Sequence, residues 1–177
     1  MKKVAITGGI GSGKTYISKM FSKLGVPIYN SDQKANSIIK SNIVVKKSII
    51  NAFGSDSFIN NELNKKHISK IIFNNNSKLR LINSIVHPLV YEDYNNWLLG
   101  QKNSYTIYES AIIYENDTIN NFDKIIGVIS DNDLKISRLL SRGMAKLSIT
   151  NIMKNQAVDT EIIRISETNC QLSPIKT

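Results

Sequence analysis

Gly8-Gly9-Ile10-Gly11-Ser12-Gly13-Lys14-Thr15 fits the pattern G-x-x-x-x-G-K-[ST], and its reading decides the fold. The pattern is that of a phosphate-binding loop. Gly8, Gly11 and Gly13 let the backbone turn tightly and aim several N–H groups at one point, where a chain of phosphate oxygens accepts them. Lys14 adds a positive charge there, and the Thr15 hydroxyl suits a magnesium ion. Such a match also arises by chance, so context is the test: a buried strand should precede it and a helix should follow. Val4-Ala5-Ile6 is a short apolar run, and Ile17, Met20, Phe21 and Leu24 recur at helical spacing until Gly25 supplies a stop. A glycine-rich turn without a ligand is the weaker alternative.

The chain has 177 residues, 41% of them apolar, enough for one good core and too few for two full domains. No apolar stretch approaches the length of a membrane span, and Met1-Lys2-Lys3 leads directly into the first strand without a signal peptide, so a cytoplasmic location and no membrane partner are expected. The single cysteine, Cys170, excludes an internal disulfide, argues against a zinc cluster and reads as incidental. A net charge of +9 raises the question of nucleic acid. The lysines are scattered, however, in runs no longer than pairs such as Lys46-Lys47, with no interleaved aromatics; a solvated surface and no nucleic-acid partner are expected. Only four arginines occur, Arg80, Arg138, Arg142 and Arg164. In so lysine-rich a chain each one invites a reason, because a guanidinium binds phosphate oxygens bidentately.

Beyond the first strand and helix, Ile28-Tyr29 predicts a second short strand ending at Asn30-Ser31-Asp32. Ligands gather at the carboxyl edge of open α/β sheets, so Asp32 is expected to face the same crevice as the loop. From about 33 to 100 the sequence reads as helices without a convincing strand, with Asn74-Asn75-Asn76-Ser77 as a breaker. Pro88 fits the first turn of a new helix that ends at Gly100. Strand character returns at Tyr105 to Tyr108 and at Lys124 to Ile129. Ser130 to Asp133 then caps a helix carrying Arg138 and Arg142 on one face; a further helix around Ser148 to Gln156 and a last strand at Glu161 to Ile165 complete the pattern. Strands separated by helices imply a parallel α/β sheet.

The loop alone does not separate a switch, a motor and a small-molecule kinase. No Asn-Lys-x-Asp guanine motif is present, and a large ATPase needs more chain. A short protein with a helical insertion after its second strand suits a kinase. Phosphoryl transfer needs charge compensation and a carboxylate that orients or deprotonates the acceptor hydroxyl. Asp32 is the best candidate, and capping the helix that follows is compatible with that role. Glu109 and Glu115 are candidates for magnesium through water or for the acceptor, with a surface carboxylate the alternative for each. Arg138 and Arg142 are candidates to clamp the phosphates, against simple helix ion pairs. His87 either caps a helix or contacts the acceptor, and His67, among helical apolar residues, reads as structural.

With these residues in place, the chain resembles the dephospho-CoA kinase family, which phosphorylates the ribose 3′-hydroxyl of dephospho-CoA in the last step of coenzyme A synthesis. Thr7 to Thr15 has the family's Thr-Gly-Gly-Ile-Gly-Ser-Gly-Lys form almost verbatim. Asn30-Ser31-Asp32 stands where the family has Asp-x-Asp, Phe53-Gly54 fits its Phe-Gly, and Leu63 to Phe73 resembles its Leu-x-Arg-x-x-Leu…Ile-Phe stretch. His87-Pro88-Leu89 matches its His-Pro-Leu/Ile, Glu109 to Glu115 resembles the segment written Pro-Leu-Leu-Phe-Glu, and Arg138 to Arg142 with Gln156 is similar to its lid arginines and later glutamine. The resemblance implies a P-loop kinase fold: a five-stranded parallel sheet flanked by helices, a helical acceptor-binding insertion and a small lid. It places the whole chain in one domain, with the core at about 1–32 and 103–177, the insertion at about 33–102 and the lid at about 138–156. ATP and Mg²⁺ are the implied cofactors, dephospho-CoA the acceptor, and the state a monomer or weak homo-oligomer. Asp32, Lys14, Arg138 and Arg142 would be catalytic. Gly8, Gly9, Gly11, Ser12, Gly13, Lys14, Thr15 and Tyr16 would cradle the nucleotide, Thr15 would also hold the metal, and Asp32, His87, Glu109 and Glu115 would meet the acceptor.

Three positions depart from the pattern. Asn30 replaces the first acid of Asp-x-Asp and removes a charge, Ala111 replaces the usual proline, and Ile152 stands where arginine is common. After Gln156 the resemblance fades, and the family's terminal strand, adenine-side loop and long helix are not recognisable, which would weaken the hold on adenine. Two other readings remain open at this point: a degenerate nucleotide-binding protein without transfer activity, and a P-loop kinase for another small acceptor such as a nucleoside, nucleotide or shikimate-like alcohol.

Overall fold

A computed structural model describes all residues except 74, 116, 117, 155, 157, 158 and 170–177, so Cys170 lies outside the described residues. From the N-terminus the elements are β1 (Lys2–Thr7), α1 (Lys14–Lys23), β2 (Ile28–Asn30), α2 (Ser31–Ser41), α3 (Ile43–Phe53), β3 (Phe58–Ile59), β4 (Glu62–Leu63) and α4 (Lys65–Ile72). There follow α5 (Asn76–Leu99), β5 (Tyr105–Glu109), β6 (Lys124–Gly127), α6 (Asn132–Ser141), α7 (Lys146–Lys154) and α8 (Asp159–Asn169). The chain divides into two units, Met1–Asn30 with the chain from Gln101 on, and Ser31–Gly100.

In the first unit, Val4, Ala5, Ile6 and Ile107 are buried because parallel strands covered on both faces need apolar residues throughout. The sheet has the strand order β2-β5-β1-β6, and every pairing is parallel. Tyr29 stacks on Tyr108 with ring centroids 5.5 Å apart, and Phe122 tilts against Tyr108 at 5.1 Å. Among the described residues this sheet has four strands, not the five expected. The segment expected as the fifth, Glu161 to Ile165, is part of helix α8. Its apolar run is equally readable as a helix face, and three local features favour the helix: Asp159 and Glu161 in the first turn suit the positive end of the dipole, Glu161 and Arg164 pair at i, i+3, and Ile162 and Ser166 share one face. That face lies on β6 so closely that a Cβ on Gly127 would stand 2.4 Å from Ser166 Oγ and 2.8 Å from Ile162 Cγ2.

In the second unit, α2, α3 and α4 each pack against α5. Asn42 caps α3 by accepting from Val44 and Val45 N–H groups, and the Asn75 of the expected breaker caps α5 by accepting from Lys78 N–H. His67 Nε2–H donates to Phe53 O across 2.9 Å, the structural role read from its surroundings. Two expectations fail here. The segment contains a short antiparallel hairpin, β3 with β4, turned by Asn60 and Asn61, both at positive φ (48° and 69°). Asparagine tolerates that conformation better than most residues. Pro88 does not open a helix; it lies inside the 24-residue α5. A proline deprives the carbonyl four residues back of its donor, here that of Ser84, an exposed position where water can serve instead. The buried stripe Val86, Val90, Tyr94 runs through the proline at helical spacing and keeps the helix whole.

Candidate active site

The site of the first unit follows from strand register. Ile6 stands opposite Glu109, Glu109 opposite Asn30, and Thr7 opposite Gly127, so the carboxyl ends of all four strands share one edge. The glycine-rich loop leaves β1 at that edge and ends in the first turn of α1. A Cβ on Gly8 would stand 2.2 Å from Val128 O, so only glycine lets the loop leave the sheet here. Gly11 has φ +78°, and a Cβ there would meet Lys135 O at 3.0 Å, where α6 lies against the loop.

Lys14 is 8% exposed, and its Nζ donates to Gly8 O at 2.7 Å and to Gly9 O at 3.1 Å. Ser12 is buried, and its Oγ has no hydrogen-bond partner among the described residues. An orphaned hydroxyl beside a buried ammonium on a tight turn is a donor set suited to phosphate oxygens. The loop is braced from outside. Arg138 Nη1 donates to Gly11 O at 3.1 Å, Ser12 O at 3.3 Å and Ser130 Oγ at 3.2 Å, and Ser130 Oγ donates to Ser12 O at 2.9 Å. Ile10 N–H donates to Gln156 Oε1 at 2.7 Å.

Thr15 Oγ1 donates to Glu109 Oε1 at 2.6 Å, and Asn30 Nδ2 donates to Glu109 Oε2 at 3.0 Å. Glu109 is 4% exposed. Thr15 and Glu109 present hard oxygens side by side, the chemistry that Mg²⁺ prefers. No group of three or more His, Cys, Asp or Glu side chains placed to hold a metal occurs among the described residues, so an ion here would take most of its ligands from phosphate and water.

The expected residues therefore divide. Gly8, Gly9, Gly11, Ser12, Gly13, Lys14, Thr15, Glu109 and Arg138 come together at one edge, with Tyr16 exposed in the first turn of α1. Arg142 is the exposed residue that ends α6, and Glu115 is exposed in the turn after β5. Asp32, in the first turn of α2, and His87, within α5, belong to the helical unit. Burial holds the His87 imidazole below its ordinary pKa. The sequence reading missed the bond from Asn30 to Glu109, having counted Asn30 only as a lost charge. It also missed the half-buried ion pair of Lys135 with Asp159, whose oxygens lie 2.8 and 2.7 Å from Nζ; no motif signals that pair.

A family model described as dephospho-CoA kinase matches residues 2–171, past Gln156, after which the motif resemblance fades. A dephospho-CoA kinase of a gamma-proteobacterium is 34% identical over 98% of this chain and 91% of its own length. One from Bacteroides fragilis is 31% identical over 90% of this chain and 78% of its own. Two solved structures share the fold at 18% identity: a protein from Thermus thermophilus, TM-score 0.78 over 92% of this chain and 84% of that one, and a dephospho-CoA kinase from Campylobacter jejuni, TM-score 0.62 over 93% and 84%. Sequence, fold and the braced phosphate loop agree, and the chain belongs to the dephospho-CoA kinase family.

Proposed function

We propose that the chain transfers the γ-phosphoryl group of ATP to the ribose 3′-hydroxyl of dephospho-CoA, giving ADP and coenzyme A, with the Gly8–Thr15 loop as donor cradle. The observation that carries this is the loop itself, where a buried Lys14 ammonium and the unpartnered Ser12 hydroxyl converge in a chain of this family. Lys14 would exchange its bonds to Gly8 O and Gly9 O for phosphate oxygens, spreading positive charge over the group in flight. Thr15 would hold Mg²⁺ with Glu109 beside it, and such an ion would supply positive charge to offset that developing on the phosphates. Of the two roles open to Glu109, its bond to Thr15 favours the metal over the acceptor.

Asp32 would accept the proton of the 3′-hydroxyl as its oxygen bonds to the γ-phosphorus and the bond to the β-phosphate oxygen breaks. Arg138 braces the loop and would swing its remaining donors to the phosphates, with Arg142 reaching in as the 138–156 segment closes. His87 and Glu115 would contact the acceptor, in the helical unit and after β5 respectively. The same reading takes the first unit as the kinase core and Ser31–Gly100 as the acceptor-binding insertion of one domain. No described helix is long and apolar enough to cross a membrane. A cytoplasmic enzyme, monomeric or weakly self-associating, completes the proposal.

A coupled assay of ADP release tests it. ADP should appear only with dephospho-CoA present, and Asp32→Ala should lower turnover by about 10²-fold or more while ATP affinity stays within about twofold. Equal ADP release with a nucleoside or shikimate would overturn the acceptor, and loss of ATP binding in the variant would remove Asp32 from its role.

A further inference from the structure

Asn30 is the last residue of β2 and lies in register with Glu109, the last residue of β5. Parallel neighbours in register point to the same face, so the strand pairing itself brings the amide to the carboxylate. Nδ2 takes Oε2 at 3.0 Å and leaves Oε1 on the Thr15 hydroxyl at 2.6 Å. Two neutral donors, one at the end of β2 and one in the first turn of α1, thus hold both oxygens of one buried acid. An aspartate at position 30, the residue the resemblance leads one to expect, offers no proton when ionised and would set two carboxylates about a hydrogen-bond length apart, roughly 3 Å. The amide keeps the shape and reverses the polarity of the contact.

We propose that Asn30 is a positioning residue for the metal side of the donor site: its amide aims Glu109, so that a single oriented carboxylate stands beside the Thr15 hydroxyl. Asn30 touches neither nucleotide nor metal in this role and acts only through Glu109. The inference rests on the reading of Thr15 as the magnesium ligand and is independent of which acceptor is phosphorylated. Partners one step removed from a metal typically change its affinity by about 10–100-fold when lost.

The test is calorimetric binding of ADP to the full chain with and without Mg²⁺, read as the ratio by which the metal tightens ADP. Asn30→Leu, with the same branched skeleton and unable to hydrogen-bond, should lower that ratio by about tenfold while metal-free ADP affinity stays within about twofold. Asn30→Ala should do the same if the leucine disturbs the strand end. In a Glu109→Gln background, where the carboxylate to be aimed is gone, Asn30→Leu should change the ratio by less than about twofold. An equal loss in both backgrounds, or metal-free affinity falling as far as the metal-bound, would overturn the role. Wild-type ADP binding indifferent to Mg²⁺ would instead remove the metal reading on which the proposal stands. Dephospho-CoA is absent throughout, so failure of the acceptor assignment cannot be mistaken for failure of this one.

Discussion

An ammonium almost closed to water is costly unless its protons are taken, and at Lys14 the carbonyls of Gly8 and Gly9 take two of them. These are neutral partners, so the bonds hold the group in place at small cost for exchange with a more strongly accepting phosphate oxygen. His87 shows the opposite response to burial, because an imidazole can shed its charge. Desolvation alone lowers its pKa from 6.5, so below that pH the unfolded chain binds the proton more readily than the folded one. With more protons bound in the unfolded state, stability rises with pH in this window; the contribution is full above about pH 6.5 and is lost as pH falls through the folded value. The urea midpoint of the wild type should therefore fall between about pH 7.5 and 5.5 by more than that of His87→Gln. Equal falls in the two proteins would show that His87 is as easily protonated folded as unfolded.

Between residues and the whole chain, elements were legible where pattern and punctuation agreed. β1, α1 and β2 follow from an apolar run, glycines, helical spacing and a proline. The breaker at Asn75 and the phosphate loop were equally plain, because cap and loop chemistry is local. Glu161 to Ile165 was not, since Glu-Ile-Ile-Arg-Ile serves a strand or a helix and only the packing of Ile162 and Ser166 on Gly127 decides. Pro88 misled for a related reason: the stripe Val86, Val90, Tyr94 outweighs one missing hydrogen bond. The polar contacts of the site divide the same way. Lys14 and Thr15 were named by motif, whereas Asn30 with Glu109 and Lys135 with Asp159 are joined across 79 and 24 positions, and a linear pattern carries no sign of them. That last pair fastens α8 to α6. Lys135 has a 5% exposed side chain and Asp159 a 35% exposed one. Breaking a buried pair costs about 3–5 kcal/mol, and water at the half-open carboxylate reduces this to about 2–3 kcal/mol for Asp159→Ala. Replacing both, Lys135→Met with Asp159→Leu, leaves no stranded charge and should recover at least half of the loss. Urea unfolding of the three proteins decides the matter, and a single variant as stable as the wild type would show that the clasp adds nothing.

Across the whole molecule, 23 lysines and arginines face 14 aspartates and glutamates, a net charge of +9 that no single element concentrates. Both proposed substrates are polyphosphates, so this diffuse field favours their approach even though only a few side chains meet them. A field of this kind is screened over about 30 Å at 0.01 M salt and about 10 Å at 0.1 M. Raising ionic strength from about 0.01 to 0.15 M should therefore reduce kcat/KM for dephospho-CoA several-fold while kcat changes by less than about twofold, because the loop's own bonds to phosphate are short and sheltered. The lysines are dispersed, without the dense stripe that tracks a duplex, so a short DNA duplex should inhibit at the low salt and lose its effect at the high one. If inhibition by the duplex persisted at about 0.15 M, the basic surface would be a nucleic-acid site in its own right. If kcat/KM ignored salt, the charge would serve solvation alone, and capture of the substrates would rest on the Gly8–Thr15 loop and its neighbours.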